Sequence, residues 1–189
     1  MGVNRKEFIK YACLTGVCMC GFSALASTKE NSEDQALNLP AQDNNAILMQ
    51  EWISGLLSNL NDGLDKATLR KIVKKNAIVH YNNLKMDDVL KDYENNLEKF
   101  IVFLETKWNW KIEYNAATNK LVANENKSQC VCPMVNKEKG VSPAMCYCSE
   151  GFAENMFSKV MGKPVTATVV SSIQRGDKYC QYNVEWTKS

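Results

Sequence analysis

The sequence predicts an α+β domain in which N-terminal amphipathic helices pack on an antiparallel sheet. Three observations carry this expectation. Apolar residues recur at three- and four-residue steps between Met49 and Leu104, as in helices that bury one face. From Trp108 to Tyr114 the period changes to two, which belongs to a strand. A last helical stripe from Phe152 to Val160 is then followed by two strand-like runs joined at a turn. Residues 46–189 are enough for one domain with its own core.

Residues 1–26 read as an address. Arg5, Lys6 and Lys10 form a basic start, Tyr11 to Leu25 carries no charge, and Ala24-Leu25-Ala26 offers a small-x-small cleavage pattern. Asn4-Arg5-Lys6-Glu7-Phe8-Ile9-Lys10 resembles a twin-arginine signal with Lys6 in the second arginine's place. An ordinary Sec signal is the alternative. Both readings imply an exported, periplasmic protein. The uncharged run is short for a membrane span, so no stable membrane anchor is expected in the mature form. Residues 27–45 are polar, hold Pro40, and read as a disordered tether.

Three helical stripes follow. The first uses Met49, Trp52, Ile53, Leu56, Leu57 and Leu60. The second uses Leu69, Ile72, Val73, Ala77 and His80, with Asp65 as its cap. The third uses Val89, Tyr93, Leu97, Phe100, Ile101 and Leu104, with Asp87 and Asp88 at its positive end. Trp108, Trp110, Ile112 and Tyr114 alternate with polar residues, Asn115 to Asn119 turns, and Lys120 to Asn124 returns, giving a β-hairpin. Residues 125–148 are loop-rich and hold four cysteines. Ser149 is expected to cap a fourth helix whose buried stripe is Phe152, Met156, Phe157 and Val160, with Gly162 ending it. Pro164 to Gln174 and Lys178 to Trp186 then form two strands around Arg175-Gly176-Asp177. Cys180 shares a face with Tyr182, Val184 and Trp186 and is expected in the core.

Composition excludes several functions. The formal charge is +2 and belongs wholly to residues 1–26, so the remainder is neutral and nucleic acid is not an expected partner. A single histidine excludes a multi-histidine metal site. There is no phosphate loop, no His-Glu-x-x-His and no dinucleotide fingerprint.

Of the eight cysteines, five lie beyond residue 26: Cys130, Cys132, Cys146, Cys148 and Cys180. Cys130-Val131-Cys132 and Cys146-Tyr147-Cys148 form two Cys-x-Cys pairs. In extended backbone each pair presents both sulfurs to one side. Facing pairs would supply four thiolates for zinc or an iron–sulfur centre. Cys148, just before the expected helix, would also gain thiolate character from the helix N-terminus. Disulfides, a metal site and free reactive thiols remain open from spacing alone; five is an odd number, and Cys180 is the natural remainder.

The C-terminal block runs Cys146-x-Cys148-Ser149-Glu150-Gly151-Phe152, then Gly162-Lys163-Pro164-Val165, then Arg175-Gly176-Asp177-x-x-Cys180-x-Tyr182. It resembles the 4-vinyl-reductase-type domain and the related L-2-amino-thiazoline-4-carboxylic acid hydrolase family over roughly residues 130–186. The resemblance implies helices on an antiparallel sheet with a small-molecule pocket between them. It implies binding of small hydrophobic ligands or metal in the first group, and opening of a thiazoline ring in the second. Cys148, Gly176, Asp177 and Cys180 stand at the matching positions.

Three functional expectations result. The first is an exported binding module, with metal at Cys130, Cys132, Cys146 and Cys148 and a small-molecule pocket near Cys180 and His80. The second is a C–N hydrolase, with Cys148 or Cys180 as nucleophile and His80 or Glu150 moving the proton. The third is a disulfide-stapled domain whose partner is another protein. His80 reads first as a core histidine and second as a ligand or base. Glu150 and Glu154 read first as a solvated helix face, and Trp108 and Trp110 as core packing.

Overall fold

A computed structural model describes residues 44–136, 139 and 141–187 of the chain. The expected signal at 1–26 and nearly all of the expected tether lie outside the described residues. Asn44 and Asn45, placed in the tether by composition, are already helical.

The chain runs α1 (Asn44–Gly63), α2 (Lys66–Asn83), α3 (Met86–Leu90), α4 (Leu97–Lys107), β1 (Lys111–Asn115), β2 (Lys120–Asn124), α5 (Cys146–Met161), β3 (Thr166–Ser171) and β4 (Gln181–Glu185). The four strands form one antiparallel sheet in the order β1-β2-β4-β3. The α+β class is as the sequence predicts. So are the turn between β1 and β2, the Asp65 cap on α2, and the left-handed Gly162 (φ +64°) that ends α5. Asp65 accepts from the backbone N–H groups of Ala67 and Thr68, both at 3.0 Å.

Alternation decides which sheet face is covered. Leu121 and Ala123 on β2, Ala167 and Val169 on β3, and Tyr182 and Val184 on β4 are all buried. They pack with Ala153, Met156, Phe157 and Val160 of α5 and with Phe100 and Leu104 of α4. A second cluster joins Leu57 of α1 and Leu69, Val73 and Ala77 of α2 to Met145, Tyr147 and Cys148.

Several expectations need correction. The third stripe is not one helix. It breaks into α3, a 3₁₀ turn at Lys91–Tyr93, and α4. Asn95 takes a left-handed φ of +58°, and Asn96 caps α4 by accepting from the Lys99 N–H at 2.9 Å. Met86 and Leu90, not Val89, are buried in α3. Half of the α1 stripe is uncovered: Leu57 is buried and Ile53 and Leu60 pack partly beside it, but Met49, Leu56 and Trp52 are exposed, Trp52 by 61%. Trp108 and Trp110 precede β1 rather than lie in it.

The fourth helix starts at Cys146, not Ser149. A 3₁₀ turn at Pro143–Met145 leads into it, with Ser142 before Pro143. Proline suits this entry because its fixed φ is already helical and its missing N–H is one no helix start needs.

Glu150 and Glu154 do not form a solvated face. Glu150 is 1% exposed. Arg70 donates to it from Nε at 2.7 Å and from Nη2 at 3.1 Å, and the Val169 N–H donates to it at 2.9 Å. Lys74 pairs with Glu154 at 2.5 Å, and the Ala167 N–H donates to Glu154 at 3.0 Å. Because β3 is an edge strand, its outward N–H groups lack a neighbouring strand. The two glutamates on α5 accept those protons, and the cations on α2 balance the glutamates. One network therefore ties α2, α5 and β3 together.

Candidate ligand cavity

A cavity of about 570 Å³ lies where α2, α5, the segment entering β1, the 125–135 loop and the approach to β4 meet. This volume falls in the range of small-molecule sites. Its wall is mostly apolar and aromatic, including Trp108, Trp110, Phe152 and Tyr182. Trp108 and Trp110 lie 5.5 Å apart between ring centroids, and Trp110 stacks on Tyr182 at 6.2 Å. The tryptophans pack against the sheet-side core, as read from the sequence, and also furnish cavity wall.

Four of the five described cysteines reach this wall: Cys130 and Cys132 from the loop, Cys146 from the first turn of α5, and Cys180 from the residue before β4. All five are free thiols. Cys180 is half-buried on the wall instead of fully inside the core. Cys148 does not line the cavity and is buried in the α1–α2 cluster. The reason is the early helix start. Residues i and i+2 share a side in a strand, but in an α-helix they are separated by about 200°. Cys146 therefore packs toward the sheet-side cluster and Cys148 toward the other. Cys132 nonetheless lies close enough to both Cys-x-Cys pairs to feel the charges of Cys130, Cys146 and Cys148. Among the described residues, no three His, Cys, Asp or Glu side chains are placed to hold a metal ion.

Burial governs the thiols. It pushes Cys132 up to about 12 and Cys180 up to about 11. Burial, and then the neighbouring Cys146, raise Cys148 too, the opposite of the thiolate character expected at a helix N-terminus. Cys146 is raised by burial, offset in part by its 2.9 Å contact with the Ser172 hydroxyl and by the Arg175 charge. Burial therefore keeps Cys132, Cys146 and Cys180 protonated and weakly nucleophilic near neutral pH.

His80 also lines the cavity, half-buried on α2, with its ring 4.9 Å from the Phe152 ring. Burial lowers its pKa and favours neutral imidazole. The structure thus gathers His80, Cys180 and three other thiols around one space, and leaves Cys148 and Glu150 outside it.

Sequence reasoning missed Glu125 and Tyr182 as site residues. Glu125 follows β2, and its N–H donates to the Cys180 carbonyl at 3.0 Å. The Tyr182 hydroxyl donates to the Glu125 carboxylate. Burial raises Glu125, while Tyr182 and Lys127 pull it back down. The Tyr182 phenol is held well above its ordinary value by burial and by Glu125. An alternating strand pattern flagged Tyr182 as inward-facing. Nothing local marked Glu125, whose partner lies 57 residues away.

The model of the family described as "Family of unknown function (DUF6144)" matches residues 24–188. No curated protein matches the chain. Among solved structures, a trafficking protein particle complex subunit 3 from Naegleria fowleri, in a crystal structure covalently bound to palmitic acid, is 11% identical. That likeness covers 77% of this chain and 96% of the other, with a TM-score of 0.48. The phenol-responsive sensory domain of the transcription activator PoxR, with phenol, is 14% identical, covering 72% of this chain and 73% of the other, with a TM-score of 0.42.

Proposed function

The chain belongs to this family of unknown function (DUF6144), and we propose that it is an exported binding domain for a small, largely apolar molecule. The observation that carries the reading is the aromatic cavity of about 570 Å³ between α5 and the 125–135 loop. Its wall combines apolar area with a few convergent polar groups, the usual make-up of a ligand site. The resemblance of the C-terminal block to 4-vinyl-reductase-type domains supports the reading, since it implies binding of small hydrophobic ligands or metal. Export rests on the reading of residues 1–26 as a signal.

A hydrolase of the thiazoline type is the second reading. Its support is that His80 and Cys180 line one cavity. Against it, burial holds the Cys180 thiol at about 11, so little thiolate is present near neutral pH.

Tryptophan emission tests the first reading, because Trp108 and Trp110 line the cavity. Titration with a panel of one- and two-ring aromatic compounds is expected to give saturable quenching and a raised melting temperature. A panel that changes neither emission nor melting temperature would refute the reading.

A further inference from the structure

Glu150, which is buried, and Glu125, which is half-buried, are compensated very differently. Glu150 is met by Arg70 at 2.7 Å and by Lys74 at 3.8 Å. Glu125, on the cavity wall, has only the Tyr182 hydroxyl and a more distant Lys127. Among the described residues no Lys, Arg or His nitrogen comes within 4.0 Å of its carboxylate. It is also the single carboxylate in the described cavity wall.

A carboxylate taken partly out of water is costly unless a positive charge or several donors replace the lost hydration. Tyr182 supplies one donor to one oxygen. The other oxygen has no protein partner among the described residues. Since no buried side-chain oxygen is left without a partner, that second oxygen is accessible. The rings of Trp108, Trp110 and Tyr182, in contact one with the next, line the same cavity as this carboxylate. Aromatic faces attract cations through their negative π clouds. Lys107 and Lys127 also touch the cavity, but long lysine side chains can keep their charge in water while their stems line apolar wall.

We infer that the cavity takes an organic cation, an ammonium carried on an aromatic or alkyl body. The Glu125 carboxylate is its counter-ion, Tyr182 holds that carboxylate in place, and the Trp108 and Trp110 rings flank the body. This inference rests on the ligand-cavity reading above and adds the charge of the ligand to it.

The test compares three molecules of nearly one shape: phenethylamine, 2-phenylethanol and phenylacetate. Each is titrated calorimetrically into the purified protein and into Glu125→Gln and Glu125→Asp variants. Phenethylamine is expected to bind at least about tenfold more tightly than the alcohol, a difference of about 1.4 kcal/mol. Phenylacetate is expected to bind weakest. Glu125→Gln is expected to abolish the preference for the amine, and Glu125→Asp to keep part of it. An alcohol that binds as well as the amine to the unaltered protein overturns the cation inference while leaving the cavity reading in place. So does an amine preference that survives Glu125→Gln. Failure of all three molecules to bind overturns both. The comparison on the unaltered protein decides the matter even if a variant does not fold.

Discussion

A methyl group added at Gly151 tests how closely α2 and α5 cross. A Cβ built there lies 2.1 Å from the Lys74 carbonyl oxygen and 2.7 Å from the Ala77 Cβ. Real Cβ atoms essentially never approach closer than 3.0 Å, so α2 must retreat by at least the 0.9 Å between 3.0 and 2.1. The atom in the way is backbone, and no rotamer change moves it. The retreat would also pull Arg70 and Lys74 from Glu150 and Glu154. Overpacking of this kind costs about 1–3 kcal/mol, occasionally more. Replacing a mid-helix glycine by alanine returns about 0.8–1.0 kcal/mol through propensity. The net expectation for Gly151→Ala is a loss of up to about 2 kcal/mol. Gly55→Ala in α1 is the control, because nothing lies within 4 Å of its built Cβ. It should gain about 0.8–1.0 kcal/mol, all from propensity. Urea unfolding of both variants gives the two free energies directly. If Gly151→Ala were as stabilising as Gly55→Ala, the close crossing would be wrong.

Other expectations follow from the same geometry. Glu150→Ala should cost about 3 kcal/mol by urea unfolding, since it leaves Arg70 without its buried partner and the Val169 N–H without an acceptor. A cost below 1 kcal/mol would show the network to be dispensable. Cys132 and Cys180 should react with iodoacetamide far more slowly in the folded protein than in urea at neutral pH, and equal rates would contradict their burial. The same two thiols give stability a pH dependence. Between their ordinary value near 9 and the folded values of about 11 and about 12, the unfolded chain has lost protons that the folded chain retains. Stability should therefore fall as pH rises through that window. Replacing both cysteines by alanine should flatten the fall, measured as melting temperature against pH; an unchanged slope would assign it to other groups.

How much of this was legible in the sequence depended on the range of the forces involved. The periods of α2, α5 and the β1–β2 hairpin are local, because a helix or strand must bury its own repeating face. Asp65 and Gly162 acted at the ends of single elements and were equally readable. The start of α5 was not: Ser149 fits a capping pattern, while the helix begins three residues earlier, after the 3₁₀ turn at Pro143–Met145. Three residues of helix were enough to pack Cys146 and Cys148 against different clusters.

The α+β class, the order of most elements and the inward faces of the strands were determined by the sequence itself, since period and capping are properties of neighbouring residues. Tertiary structure alone decided the fate of the charges and thiols. Arg70 reaches Glu150 across 80 residues, and Tyr182 reaches Glu125 across 57. Whether a glutamate is solvated, clamped or left facing a cavity is set by which elements cross beside it. No spacing along the chain encodes that crossing.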